Sequence, residues 1–166
     1  MIELQKHSFY NENQTKRELC DFIMKSNFLS MGDECKKFEK GFSLKQNRKS
    51  SVFVNSGSSA NLVLFQALLN LGRLKVGDIV AVSALTWSTN IMPLIQLGLR
   101  PFLVDCEVNS LNVSSKNFQE ALLIQPNIKA FFITNLLGYC SDLAVIEEIC
   151  NNKNIMLFED NCEALG

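Results

Sequence analysis

The alternation of short apolar runs with helical stretches from residue 50 onward most constrains how this chain can fold. The runs are rich in β-branched and aromatic residues and predict strands at residues 51–54, 79–82, 101–104, 130–134 and 155–158. Between them, apolar residues at helical spacing predict helices at 58–71, 89–97, 116–124 and 142–151. Strands that are hydrophobic almost throughout, separated by helices, are typical of a covered parallel sheet. We therefore predict an α/β fold, a mostly parallel sheet with helices on both faces.

The first fifty residues have a different pattern. Residues 14–26 and 31–46 carry apolar side chains at helical spacing among charged ones, which predicts two amphipathic helices. Neither apolar face is large enough to stand alone. We therefore divide the chain into an N-terminal helical segment, residues 1–48, and an α/β domain, residues 49–166.

Composition narrows the classes of function. The 166 residues are 47% hydrophobic, and a net charge of −1 argues against a nucleic-acid binder that relies on phosphate contacts. Six cysteines without a C-x-x-C pair, together with a single histidine, predict no metal site. The sequence opens without a signal peptide and has no apolar run near the roughly 18 residues of a membrane span. We expect a reduced, cytoplasmic protein that binds neither nucleic acid nor membrane.

Three predicted strands are followed by residues that could bind a ligand at the carboxyl edge of the sheet. After the first comes Gly57-Ser58-Ser59 at the start of a helix, where free N–H groups and small side chains suit a phosphate. The only tryptophan, Trp87, follows the second strand and could stack on an aromatic ligand. Asp160 follows the fifth, where a carboxylate needs a cationic partner.

Each position also has an ordinary structural explanation. The serines could only cap a helix, Trp87 could be a packed aromatic, and Asp160 could be a helix N-cap. Taken together, however, a phosphate cradle, a stacking aromatic and a carboxylate for a ring nitrogen suit pyridoxal phosphate. Its protonated pyridine ring acts as an electron sink.

The stretches NSGSSANL, LTWSTNIMPLIQLGLRPFLVD and FEDNCEALG resemble the sugar-nucleotide aminotransferases of the DegT/DnrJ type, which are fold type I pyridoxal-phosphate enzymes. The resemblance runs from about residue 30 to residue 166. It implies the incomplete large domain of a homodimeric enzyme. Such an enzyme moves an amino group from glutamate to a keto-sugar nucleotide in lipopolysaccharide or related deoxysugar biosynthesis.

The resemblance also implies roles for individual residues. It assigns Ser58 and Ser59, beside Gly57, to the cofactor phosphate, Trp87 to the ring face and Asp160 to the pyridine nitrogen as the catalytic carboxylate. Asn135, after the fourth strand, corresponds to a position where the family often has His or Asn near the cofactor.

Two departures from the family pattern leave alternatives open. Glu163 stands where the family commonly has Gln or His, and two of the motifs lean toward sugar 3-dehydrases, which use pyridoxamine phosphate. The family's Schiff-base lysine, replaced by histidine in the dehydrases, is expected beyond residue 166. We therefore expect an inactive N-terminal part of an aminotransferase or, alternatively, of a 3-dehydrase. A third possibility is a non-catalytic interaction domain derived from this fold.

The same resemblance predicts exposed strand edges. It places the neighbours of the 51–54 strand beyond residue 166 and leaves the 155–158 strand with one open edge. Unpaired backbone groups on an apolar strand favour pairing with another chain. We therefore expect self-association and weak cofactor binding by this chain alone.

Overall fold

The computed structural model describes residues 9–164. Within that range the chain forms six α-helices, four β-strands and one short 3-10 turn. The described residues divide into two compact units, those up to residue 53 and those from residue 54 onward.

The first unit contains the two predicted amphipathic helices, α1 (Glu12–Lys25) and α2 (Asp33–Lys45). Phe38 of α2 stacks on Phe42 and meets Phe53 edge-to-face, with ring centroids 5.7 and 5.2 Å apart. These contacts explain the apolar spacing read from the sequence in α2.

The strand predicted at residues 51–54 is wrong. This segment has no strand partner among residues 9–164 and bonds instead to α2. The Ser51 hydroxyl donates to the Glu39 carbonyl at 2.6 Å, and the Phe53 N–H donates to Glu39 Oε1 at 2.8 Å. A β-branched, apolar run forms a strand only when a neighbouring strand satisfies its backbone. Here a glutamate side chain and a helix carbonyl take that role.

The second unit holds the sheet and its helices. In chain order its elements are α3 (Gly57–Asn70), β1 (Ile79–Ser83), α4 (Ser88–Gln96), β2 (Arg100–Val104), α5 (Ser115–Ile124), β3 (Ile128–Thr134), the 3-10 turn (Leu136–Gly138), α6 (Leu143–Lys153) and β4 (Met156–Asp160). All four strands run parallel in the order β2-β1-β3-β4. The prediction that the 155–158 strand has an open edge is confirmed within the described residues, since β4 pairs only with β3.

Two apolar layers cover the two faces of the sheet. On one face Phe65 of α3 meets Phe132 of β3 edge-to-face, with centroids 5.4 Å apart. On the other, Phe118 of α5 stacks on Phe131 at 4.4 Å. Neighbouring residues of β3 thus point to opposite faces, as a doubly covered strand requires. The predicted α/β fold with helices on both faces is confirmed.

Candidate functional site

Helix α3 begins at the residues predicted to bind a phosphate. Ser56 caps the helix, because its Oγ accepts a 3.2 Å hydrogen bond from the Ser59 N–H. The N–H groups of Gly57 and Ser58 have no acceptor among the residues described. A Cβ added at Gly57 would meet nothing within 4 Å. The start of α3 therefore presents two available donors, the positive end of the helix dipole and open space, a combination suited to an anion.

Trp87 immediately precedes α4 and lies at its N-cap position, where its side chain makes no capping bond. It is 56% exposed, whereas the core aromatic Phe65 is fully buried. A core-packing role alone does not account for that exposure. The indole has accessible surface on which a flat ligand could stack.

Asp160 is the last residue of β4 rather than a residue following the strand, and no helix begins between it and residue 164. The helix N-cap explanation for Asp160 therefore does not hold. Its Oδ2 accepts from Asn90 Nδ2 at 2.7 Å, and its Oδ1 accepts from the Cys162 N–H at 3.1 Å. No Lys or Arg within residues 9–164 forms an ion pair with it. Asp160 is a half-buried carboxylate held by neutral donors.

Asn90 of α4 is the buried partner of that carboxylate and is only 1% exposed. Its second amide hydrogen goes to Thr134 Oγ1 at 3.1 Å, and its Oδ1 accepts from Asn61 Nδ2 at 2.9 Å. The two amide hydrogens and the oxygen of Asn90 thus all have partners within the chain.

The hydroxyl network continues along the sheet edge. Thr134, at the end of β3, lies 2.6 Å from the Thr86 hydroxyl and donates its backbone N–H to Ser83 Oγ, at the end of β1, at 3.1 Å. The carboxyl ends of β1, β3 and β4 are therefore joined by side-chain hydrogen bonds. This is the edge at which parallel sheets bind ligands.

Asn135 follows β3 directly and is 4% exposed. Its N–H donates to the Asp160 carbonyl at 3.0 Å, and its Nδ2 donates to Glu159 Oε2 at 3.1 Å. Its Oδ1 is buried and has no partner among the residues described. An unpaired buried acceptor is costly, so this oxygen is available to a donor on a ligand or water.

Cys162 lies beside the Asp160 carboxylate. Partial burial, followed by the hydrogen bond and charge of Asp160 and the charge of Glu163, raises the pKa of this thiol from 9.0 to about 11. The thiol therefore stays protonated near neutral pH, which does not suit a nucleophilic role.

The structure brings Asp160 and Asn135 together and ties Asp160 to α4, the helix that Trp87 precedes. Asn61, Asn90 and Thr134 complete the hydrogen bonds, and none of the three was predicted as a site residue. A signal existed for Asn90, a polar residue in the otherwise apolar stretch NIMPLI of α4. Asn61 and Thr134 carry no such signal, because only the packing of α3, α4 and the sheet shows which polar residues meet.

Two structural features are absent from residues 9–164. These residues contain no group of three or more His, Cys, Asp and Glu side chains that could hold a metal ion. They also contain no helix long and apolar enough to cross a membrane.

Comparison with known families identifies the group to which this chain is related. The pattern that defines the DegT/DnrJ/EryC1/StrS aminotransferase family matches residues 11–166. The chain belongs to that family. The resemblance read from the three motifs is thereby confirmed.

Members of this family with known activities share substantial identity with the chain. It is 38% identical over 146 residues to the GDP-4-keto-6-deoxy-D-mannose 3-dehydratase of Escherichia coli O55:H7, a match that covers 87% of this chain and 37% of the relative. It is 31% identical over 137 residues to the GDP-perosamine synthase of Caulobacter vibrioides, which covers 82% and 35%. The chain thus spans under two fifths of the length of these relatives.

A solved family structure shows the same fold. The Escherichia coli GDP-4-keto-6-deoxy-D-mannose-3-dehydratase with bound hydrated PLP superposes with a TM-score of 0.85 at 36% identity. The match covers 98% of this chain and 41% of that one. The predicted kinship with fold type I enzymes therefore holds at the level of backbone geometry.

Proposed function

We propose that this chain is the N-terminal, cofactor-binding part of a pyridoxal-phosphate-dependent enzyme that acts on keto-sugar nucleotides. The observation that carries the proposal is Asp160, a half-buried carboxylate at the ligand edge of the sheet, fixed by hydrogen bonds and without an ion pair in the described residues. Such a carboxylate suits a protonated ring nitrogen as its cationic complement. Family membership supports the same proposal.

The residues present fit the cofactor in three independent respects. The start of α3 offers N–H donors and open space at Gly57, which suit a phosphate. Trp87 offers an exposed indole, and Asn135 offers a buried acceptor that lacks a donor. A phosphorylated, aromatic ligand with hydrogen-bond donors would bind to all three of these groups.

Each residue then has a definite task. The Gly57, Ser58 and Ser59 groups bind the phosphate, and Trp87 covers one ring face. Asp160 keeps the ring nitrogen protonated, and Asn135 accepts a hydrogen bond at the site's edge. When bound, the cofactor supplies an electron sink for negative charge that develops on the substrate carbon. The protein's own contribution is to bind and orient the cofactor and to hold the proton on its ring nitrogen.

The leading reaction is transfer of an amino group from glutamate to a keto-sugar nucleotide, as in lipopolysaccharide and related deoxysugar biosynthesis. The family's description as aminotransferases supports it. A second candidate is removal of the sugar 3-hydroxyl by a dehydratase. It is favoured by the higher identity to the GDP-4-keto-6-deoxy-D-mannose 3-dehydratase, 38%, than to the GDP-perosamine synthase, 31%.

Cofactor binding is tested on this chain by the fluorescence of Trp87, its only tryptophan. Pyridoxamine phosphate is the preferred probe, because the aldehyde of pyridoxal phosphate also reacts with surface lysines. We expect saturable quenching that weakens when pyridoxamine without phosphate is used instead. The absence of saturable quenching would overturn the proposed cofactor site and favour a non-catalytic interaction domain.

The two reactions give different products from the same substrates. The complete protein encoded by the gene is therefore incubated with GDP-4-keto-6-deoxymannose and glutamate. Mass spectrometry distinguishes a sugar that has gained an amino group from one that has lost a hydroxyl. An amino sugar supports transamination, and a 3,6-dideoxy sugar supports the dehydratase, since the substrate already lacks its 6-hydroxyl.

The proposed partners include a second copy of the chain in the cytoplasm. Helix α1 supports self-association, because its apolar residues are exposed in part, among them Leu19 (47%), Phe22 (42%) and Ile23 (45%). Light scattering coupled to gel filtration tests this. A monomer at micromolar concentration would contradict the proposed dimer.

A further inference from the structure

The hydrogen-bond chain that ends on Asp160 has a fixed direction. Ionised Asp160 and the Thr89 carbonyl can only accept hydrogen bonds. Asn90 must therefore turn its Nδ2 toward Asp160, and Asn61 must turn its Nδ2 toward Thr89, which it meets at 3.2 Å. Both amide orientations are dictated by their partners. The chain runs from Asn61 through Asn90 to the carboxylate.

The hydroxyl of Thr134 belongs to the same network. Thr134 Oγ1 accepts from Asn90, so its own hydrogen is free to point to Thr86. Asn90 is thus held on both sides and cannot rotate without breaking bonds in a buried site. A buried amide with all its bonds made is rigid, and it transmits that rigidity to what it touches.

Three elements meet through this amide. Asn61 lies on α3 two residues after Ser59, Asn90 lies on α4 three residues after Trp87, and Asp160 ends β4. The residues proposed to contact phosphate, ring face and ring nitrogen are far apart in sequence. Asn90 is the side chain that joins their elements.

We propose that Asn90, oriented by Asn61, is the positioning residue that sets the Asp160 carboxylate for the cofactor's ring nitrogen. This inference rests on the proposed function. Asn90 does not itself touch the ligand in this assignment. Of the two hydrogen bonds that N–H groups donate to the carboxylate, the buried Asn90 side chain supplies one, and the exposed Cys162 backbone supplies the other.

The test replaces Asn90 by leucine, which has a similar shape and no donor, in the full 166-residue chain. Loss of a hydrogen bond to a charged group should weaken pyridoxamine phosphate binding by about tenfold to a hundredfold. Binding is measured by Trp87 fluorescence on protein whose fold is verified by circular dichroism.

The matched control is Asn112→Leu. Asn112 is also 1% exposed and makes hydrogen bonds to the Leu136 N–H and the Tyr139 carbonyl, but none to Asp160. It controls for the cost of removing a buried asparagine. A positioning role predicts that Asn90→Leu loses much more affinity than Asn112→Leu. Equal affinity losses in the two variants would overturn the inference.

A second measurement on the unmutated chain does not depend on how the variants fold. The side-chain amide of Asn90 is observed by nuclear magnetic resonance in ¹⁵N-labelled protein while pyridoxamine phosphate is added. We expect its signals to shift with the same saturation curve as the Trp87 quenching. Unchanged Asn90 signals at saturating ligand would overturn the positioning role while leaving the cofactor site intact. Absence of quenching in the unmutated chain would instead overturn the proposed function, and this inference with it.

Discussion

Asn90 Nδ2 donates a 2.7 Å hydrogen bond to Asp160 Oδ2, which joins the first turn of α4 to the end of the last strand described. The two residues are 70 positions apart in the sequence. The bond connects a fully buried amide to a half-buried carboxylate and passes through the carboxyl edge of the sheet. It thereby places a negative charge where parallel sheets bind ligands.

Replacing Asp160 by asparagine should abolish most of the affinity for pyridoxamine phosphate. The variant keeps the size and an acceptor for Asn90 but loses the charge that complements a protonated ring nitrogen. We expect a loss of about tenfold or more, measured by Trp87 quenching. Glu120→Gln, on the exposed surface of α5, is a control for loss of one negative charge. Unaltered affinity in Asp160→Asn would remove Asp160 from the site.

Alanine should have different effects at Gly57 and Gly98, weakening ligand binding at the first and lowering stability at the second. Gly57 has open space around a would-be Cβ, so Gly57→Ala should fold normally but obstruct phosphate and bind pyridoxamine phosphate severalfold more weakly. Gly98 has φ +73° and would place Cβ 2.9 Å from Val76 Cγ1, so Gly98→Ala should lose about 1 kcal/mol or more of stability. Urea unfolding and ligand titration of both variants check this. A Gly57→Ala protein with full affinity would argue against a phosphate at α3.

Substitutions of Trp87 should show whether its indole stacks on the cofactor ring. Replacing it with leucine removes the aromatic face but leaves an apolar residue before α4, so we expect affinity for pyridoxamine phosphate to fall severalfold while phenylalanine retains most of it. Calorimetry measures both, since the fluorescent reporter is lost. Equal binding by the leucine and phenylalanine variants would contradict stacking.

Asp142 should make stability depend on acid pH. Burial is the largest single influence and raises the pKa of Asp142. Hydrogen bonds from the Ser115 hydroxyl and N–H, with smaller ones from the Asp142 backbone and Ser141, outweigh it and bring the pKa below 3.8. A lowered folded-state pKa means that the stabilisation is present above pH 3.8 and is lost as pH falls through the folded value.

We therefore expect Asp142→Asn to cost up to about 1 kcal/mol at pH 7, with the difference from the unmutated chain disappearing in acid. Chemical unfolding at several pH values measures it. Asp21→Asn on α1 serves as the control, since Asp21 is exposed and makes no ion pair within the described residues. A difference that persisted unchanged into acid would contradict the assignment.

Cys162 should react faster when Asp160 loses its charge. The carboxylate contributes to the raised pKa of the thiol, about 11, so Asp160→Asn should lower that pKa and increase the thiolate fraction. We expect severalfold faster alkylation of Cys162 by iodoacetamide at pH 8.5, followed by peptide mass spectrometry. The exposed Cys140 provides the internal reference, and its rate should not change. An unchanged Cys162 rate would show that Asp160 does not govern this thiol.

Part of this protein is determined by its sequence alone. The apolar runs that become β1, β2, β3 and β4 and the helical spacing between them are local patterns, and strands buried on both faces need little more than such patterns. The same patterns place Trp87 after β1 and Asp160 at the end of β4, while Gly57 follows a segment that is not a strand. The assignment of these three residues to a cofactor site stays a prediction.

The tertiary structure decided what local pattern could not. Residues 51–54 have the composition of a strand, yet they bond to Glu39 of α2, because a strand exists only where a neighbouring strand satisfies its backbone. The sequence also did not show that Asn90 is the residue that binds the Asp160 carboxylate. Each donor or acceptor of a buried amide such as Asn90 that lacks a partner costs stability. Those partners come from elements that folding alone brings together.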